Sequence, residues 1–135
     1  MIGLMKILFI CRANVGRSQA AAALYNEIHP NDAESAGTLV SNPSIALRDR
    51  EKANTIINVL LENGIDISNN HPRQVDESLV EKFEKLIVMA EPESIPNWLG
   101  SNPKTIVWTI QDPKDQDIDT TRKIVNIIHS KIKEL

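Results

Sequence analysis

The chain has 135 residues, 41% of them apolar and 24% charged, enough to bury a core without disulfide or metal staples and too few for a second domain. A net charge of −3, with no basic run, argues against a nucleic-acid partner. The one cysteine excludes an internal disulfide and a cysteine-built metal cluster, and it fits a reducing, cytoplasmic compartment.

A single domain over residues 1–135 is expected. The apolar start, Met1 to Ile10, lacks a charged lead and a small-residue cleavage site and is too short to span a membrane, so no membrane association is expected. Met5 is an alternative start.

Lys6-Ile7-Leu8-Phe9-Ile10 is an unbroken apolar run, the pattern of a parallel strand covered on both faces. An alanine-rich helix is expected from Ser18 to Ile28, closed by His29-Pro30-Asn31-Asp32. Ala33 to Ala36 is a short strand. After the loop Ser41 to Ser44, residues Ile45 to Asn63 show helical spacing. Ile56, Ile57, Leu60 and Leu61 form the apolar face, and Gly64 is the stop.

Asp76 reads as the N-cap of a short helix reaching Phe83. Lys85 to Met89 is a second buried strand, Pro92 to Leu99 a short helix, and Thr105 to Trp108 another strand. The closing helix runs from Asp119 to Lys133, with Ile124, Val125, Ile127, Ile128 and Ile132 as its stripe.

Strands alternating with helices define an α/β fold, a parallel sheet with helices on both faces and right-handed crossovers. Ligands in such folds sit at the carboxyl ends of the strands. The loops after Ile10, Met89 and Trp108 lie at such ends.

The first of these loops carries the chemistry. Cys11-Arg12-Ala13-Asn14-Val15-Gly16-Arg17-Ser18 joins a strand to a helix. A loop of this length can curl round a tetrahedral oxyanion with its backbone N–H groups inward. The helix N-terminus adds positive potential, and Arg17 can grip two oxygens with its planar fork. Such an electropositive site favours a thiolate, which is a competent nucleophile. Ser18 can donate a hydrogen bond to Cys11, and Asn14 suits a left-handed backbone position.

This run resembles the phosphate loop of the low molecular weight protein tyrosine phosphatase family, which includes a branch of arsenate reductases. Ser35-Ala36-Gly37-Thr38, Gly64-Ile65-Asp66-Ile67-Ser68, Arg73-Gln74, Leu86-Ile87-Val88-Met89 and Asp112-Pro113 follow in that family's order. The resemblance implies a three-layer sandwich around a four-stranded parallel sheet. It also implies two-step hydrolysis through a phosphocysteine. Cys11, Arg17 and Asp112 would be catalytic, Arg12 to Ser18 would bind phosphate, and Asn14, Ser18 and Ser41 would support the loop. Asp112 would protonate the leaving oxygen and then act as base on water. The implied partner is a phosphorylated protein, with phosphotyrosine or another aryl phosphate foremost, or a small phosphate monoester. Inorganic phosphate and other oxyanions would inhibit. No cofactor and no metal are implied.

Four departures from the family pattern stand out. Lys114 and Asp115 follow Asp112-Pro113 where relatives carry aromatic residues, and Leu39, Val40 and Ser41 lack the aromatic residue usual in their loop. A wall that stacks on a phenyl ring is therefore missing. Val15, by resemblance, points to aryl or alkyl phosphate rather than phosphoarginine. Gly16 stands where many relatives have a second, shielding cysteine. Asn69-Asn70-His71 is one residue longer than usual, so the supporting histidine is either His71, shifted by one, or replaced by Asn70.

Other polar features have plainer readings. His29 and His129 are expected to be solvated or capping, and Trp98 and Trp108 to pack in the core or at its rim. The acidic run Asp112 to Asp119 lacks the glycine and terminal glutamate of a helix-loop-helix calcium site.

Two rival functions remain. Arsenate reduction with an external small thiol needs only Cys11, and Gln19 leans that way because Arg-Ser-Gln is common in that branch. The thioredoxin-coupled version needs two further cysteines. A non-catalytic oxyanion-binding module would need neither thiol nor acid.

Overall fold

The computed structural model describes residues 6–135. The stretch Met1 to Met5, with the alternative start, lies outside the described residues. Four strands form one parallel sheet in the order β2-β1-β3-β4: β1 (Ile7–Cys11), β2 (Ala33–Gly37), β3 (Lys85–Val88) and β4 (Thr105–Val107). In register, Cys11 lies beside Gly37 and Ile10 beside Val88. The strand order reverses between β1 and β3, so the crevice at their carboxyl ends is where a ligand is expected.

Alternation along β1 divides the core. Ile7, Phe9 and Cys11 face helices α1 (Arg17–Ile28), α2 (Asn54–Glu62) and α5 (Ile118–Lys133). Leu8 and Ile10 face the short helices α3 (Glu77–Val80) and α4 (Asn97–Gly100), with Phe83 and Leu99 filling that side. The expected α/β sandwich, four parallel strands between two helical layers, is the observed fold.

Several element bounds differ from expectation for local reasons. Residues 45–53 are not continuous helix but two 3₁₀ turns, Leu47–Asp49 and Glu51–Ala53, with Arg50 extended between them. The Leu47 and Arg48 amides donate to the carbonyls of Asn70 and Ser68, which pulls them out of a helical ladder. Leu61 is exposed and Val59 takes its place on the buried face of α2. Gly64 ends that helix at φ +76°, as its lack of a Cβ allows.

Pro92 to Leu99 splits into a 3₁₀ turn and α4, because the residue before Pro96 is extended. Asp76 does cap α3, accepting from the Leu79 amide at 2.7 Å, but the helix stops at Val80. In α5, Ile127 is exposed, Thr121 is buried on the inner stripe, and Asp117 is the cap. Trp108 packs against Phe9 at a ring separation of 6.1 Å, and Trp98 against the α3/α4 side, so both serve packing. No described helix is long and apolar enough to cross a membrane.

Candidate active site

β1 ends at Cys11, and the chain turns immediately into the loop that leads to α1. Asn14 takes the left-handed conformation at φ +57°, which bends the loop back on itself. Gly37, beside Cys11 in the sheet, makes room for the bend. A Cβ there would stand 2.6 Å from the Arg12 carbonyl oxygen and 2.9 Å from the Asn14 nitrogen, both backbone atoms that cannot yield. The Thr38 and Leu39 amides then donate to the Cys11 and Arg12 carbonyls and tie the second strand's exit to the loop.

A directional hydrogen-bond chain runs through Asn14. Its Nδ2 donates to Ser18 Oγ at 2.7 Å, and Ser18 Oγ lies 3.0 Å from Cys11 Sγ. Because Nδ2 can only donate, the serine oxygen accepts there and keeps its own proton for the sulfur. Asn14 Oδ1 accepts from the Arg73 amide at 2.8 Å. Gln19, which is buried, donates Nε2 to the Asn14 carbonyl at 3.1 Å, while its Oε1 accepts from Asn70 Nδ2 at 3.1 Å. Asn70 thus joins the loop's support. His71 is exposed and its Nδ1 meets the Pro43 carbonyl instead.

Arg17 is buried, and its guanidinium is held on one edge. Nη1 donates to the Met89 carbonyl at 2.7 Å, Glu91 Oε2 at 2.8 Å and the Ile110 carbonyl at 3.1 Å; Nη2 reaches Glu91 Oε1 at 3.3 Å. Burial works against the charge, but Glu91 first, then Cys11 and Asp112, outweigh it and hold the guanidinium above its ordinary range. The Arg17 partner in turn holds the Glu91 carboxyl below the usual carboxylate range. Nε and the outer proton of Nη2 have no hydrogen-bond acceptor among the described residues. Those two donors form a free edge that can meet two oxygens of an anion.

Asp112 is half exposed. Its Oδ1 accepts from the Lys114 amide at 3.0 Å, and its Oδ2 lies 3.7 Å from Arg17 Nη2, too far for a hydrogen bond. Pro113 seats on the loop at Gly16, where a Cβ would stand 2.9 Å from the proline Cγ. Cys11, Arg17 and Asp112 line one cleft of about 450 Å³, with Val15, Leu39 and Ile56 as its aliphatic walls. Ser41 is exposed on this cleft's wall and offers its carbonyl to Arg50; its side chain makes no described bond to the loop. Among the described residues no three His, Cys, Asp or Glu side chains cluster to hold a metal ion.

A family model described as low molecular weight phosphotyrosine protein phosphatase matches residues 6–135. The chain belongs to that family. It is accordingly a phosphatase whose chemistry is cysteine-based. An arsenate reductase from Archaeoglobus fulgidus is 28% identical, with a TM-score of 0.71, covering 96% of this chain and 97% of that one. YwlE arginine phosphatase from Geobacillus stearothermophilus is 22% identical at TM-score 0.79, covering 96% and 89%. Vibrio vulnificus Wzb in complex with benzylphosphonate is 23% identical at TM-score 0.78, covering 98% and 100%. At these lower identities the last two establish the shared fold.

Sequence reasoning missed Glu91. It follows the end of a strand whose exit loop is a ligand position, and a carboxylate there is the signal that could have revealed a partner for a buried arginine. Gln19 does more than mark a branch of the family, since its side chain bridges the loop to Asn70.

Proposed function

We propose that this phosphatase hydrolyses phosphate monoesters through a phosphocysteine, with Cys11 as nucleophile, Arg17 as anion clamp and Asp112 as general acid and then base. The observation that carries the reading is the free edge of Arg17, held by Glu91 on its other side and opening on the same cleft as Cys11.

The Cys11 thiolate attacks phosphorus as the bond to the ester oxygen breaks, and Asp112 gives that oxygen its proton. Asp112, now a carboxylate, takes a proton from water as the water oxygen attacks the phosphocysteine; phosphate leaves and the thiolate returns. The amides of residues 12–18 and the Arg17 edge receive the phosphoryl oxygens throughout. Asn14 and Ser18 hold the loop and the sulfur, and Ser41 contributes to the wall. The substrate is a phosphorylated protein, with phosphotyrosine or another aryl ester foremost, or a small monoester. Residues 1–135 act as one catalytic domain in a reducing, cytoplasmic compartment, a setting the lone thiol supports.

Turnover of para-nitrophenyl phosphate without added metal, in wild type and Cys11→Ser, tests this. Turnover that disappears in the variant is expected. Folded wild-type protein that turns over no ester would sink the reading. Arsenate reduction with an external thiol is the second reading, favoured by the 28% identical arsenate reductase and by Gln19. It predicts consumption of glutathione or mycothiol when arsenate is present.

A further inference from the structure

The chain carries a net charge of −3, yet its cleft is lined by five cationic side chains and two carboxylates. Three of the five are committed. Arg17 is held by Glu91, Arg50 by the carbonyls of Ser41, Asn42 and Ile45, and Lys52 by Asp115 across the mouth. Arg12 and Lys114 are left. Both are exposed, both line the cleft, and neither has a hydrogen-bonded or ion-paired partner among the described residues. Glu91 and Asp115 feel their charges only at longer range.

The free edge of Arg17 and the loop amides already suffice for one phosphoryl group. Val15, Leu39 and Ile56 can take the carbon skeleton attached to it. Two unengaged cations at the rim then exceed what a neutral leaving group uses.

Resting on the phosphatase reading, we propose that the leaving half of the substrate carries a second anionic group, which Arg12 and Lys114 receive at the rim. The group is a carboxylate or comparable anion, borne either by a small ester or by an acidic side chain beside a phosphorylated residue. An attraction across a solvated rim adds to kcat/KM and weakens with salt.

The test compares phenyl phosphate with 3-carboxyphenyl phosphate, and phosphotyrosine peptides carrying Glu with those carrying Lys beside the phosphorylated residue. Each pair is run with wild type and with the Arg12→Gln/Lys114→Gln double variant, at low and high salt. In wild type the anionic member is expected to have the larger kcat/KM by about fivefold, and salt shrinks that ratio. In the double variant the ratio is expected to fall to about one. A preference confined to the peptides assigns the anion to a protein substrate, and one confined to the small esters to a metabolite; either supports the proposal. Equal kcat/KM within both pairs, with phenyl phosphate turned over, overturns the proposal and leaves the phosphatase reading standing. A preference unchanged in the double variant also overturns it. No turnover of any ester by folded wild type overturns both.

Discussion

Glu91 grips Arg17 through both carboxylate oxygens, at 2.8 and 3.3 Å, leaving the other edge of the guanidinium to the cleft. The pair reaches from the loop after β3 to the first residue of α1, so it fixes the guanidinium in place. Preorganised donors of this kind do not have to reorient during the reaction.

Glu91→Gln should therefore uncouple the clamp while leaving the fold intact. One neutral amide cannot match two charge-assisted bonds to a guanidinium, and the buried Arg17 is left short of a counter-charge. A fall in kcat/KM of roughly ten- to a hundredfold is expected, measured with para-nitrophenyl phosphate. The pH dependence follows from the depressed Glu91 carboxyl. A group whose pKa is lower folded than unfolded stabilises above its unfolded value and loses that contribution as pH falls through its folded value. Wild type should thus exceed Glu91→Gln in denaturant midpoint near neutral pH. The two should converge below the ordinary carboxylate range. A gap that persists undiminished well below that range would assign the difference to packing instead.

Asp112→Asn separates chemistry from binding. The asparagine oxygen can still accept from the Lys114 amide, so the turn is expected to hold. Without a transferable proton the hydrolysis rate should fall by about a hundred- to ten-thousandfold. Phosphate inhibition should change little, since Arg17 and the loop amides are untouched. Loss of phosphate affinity in step with rate would show that Asp112 binds the anion rather than serving as the acid.

Gln19→Met removes both ends of the bridge between Asn14 and Asn70 at nearly constant volume. Leaving the buried Asn14 carbonyl without that donor should cost about 1–3 kcal/mol of stability. If the bridge also positions the loop, kcat should drop several-fold, and Gln19→Glu, which keeps one oxygen for Asn70, should not restore it. Unchanged kcat with reduced stability would confine Gln19 to a structural role.

The fold and the loop were legible because they are written locally. Apolar runs such as Ile7 to Ile10 state a buried strand in four letters, and Asn14 between Cys11 and Ser18 signals the left-handed turn that the loop takes. What stayed hidden depends on distance along the chain. Glu91 meets Arg17 across 74 residues, and Asn70 meets Gln19 across 51, so neither pairing leaves a trace in spacing. The break at Arg50 was equally hidden, because amides donating to the 68–70 turn override a helical pattern that residues 45–53 carry on their own.

Pro113 lying on Gly16 has an outcome for the enzyme's life in oxidant. Any side chain at residue 16, a resolving thiol included, would have to push the proline ring and with it Asp112. In this chain the space over residue 16 is taken by the proline next to Asp112. A Cys11 sulfenic acid has no second thiol in this sequence to condense with. Its routes are an external thiol, closure on a backbone nitrogen as a sulfenamide, or irreversible advance to the sulfinic and sulfonic forms.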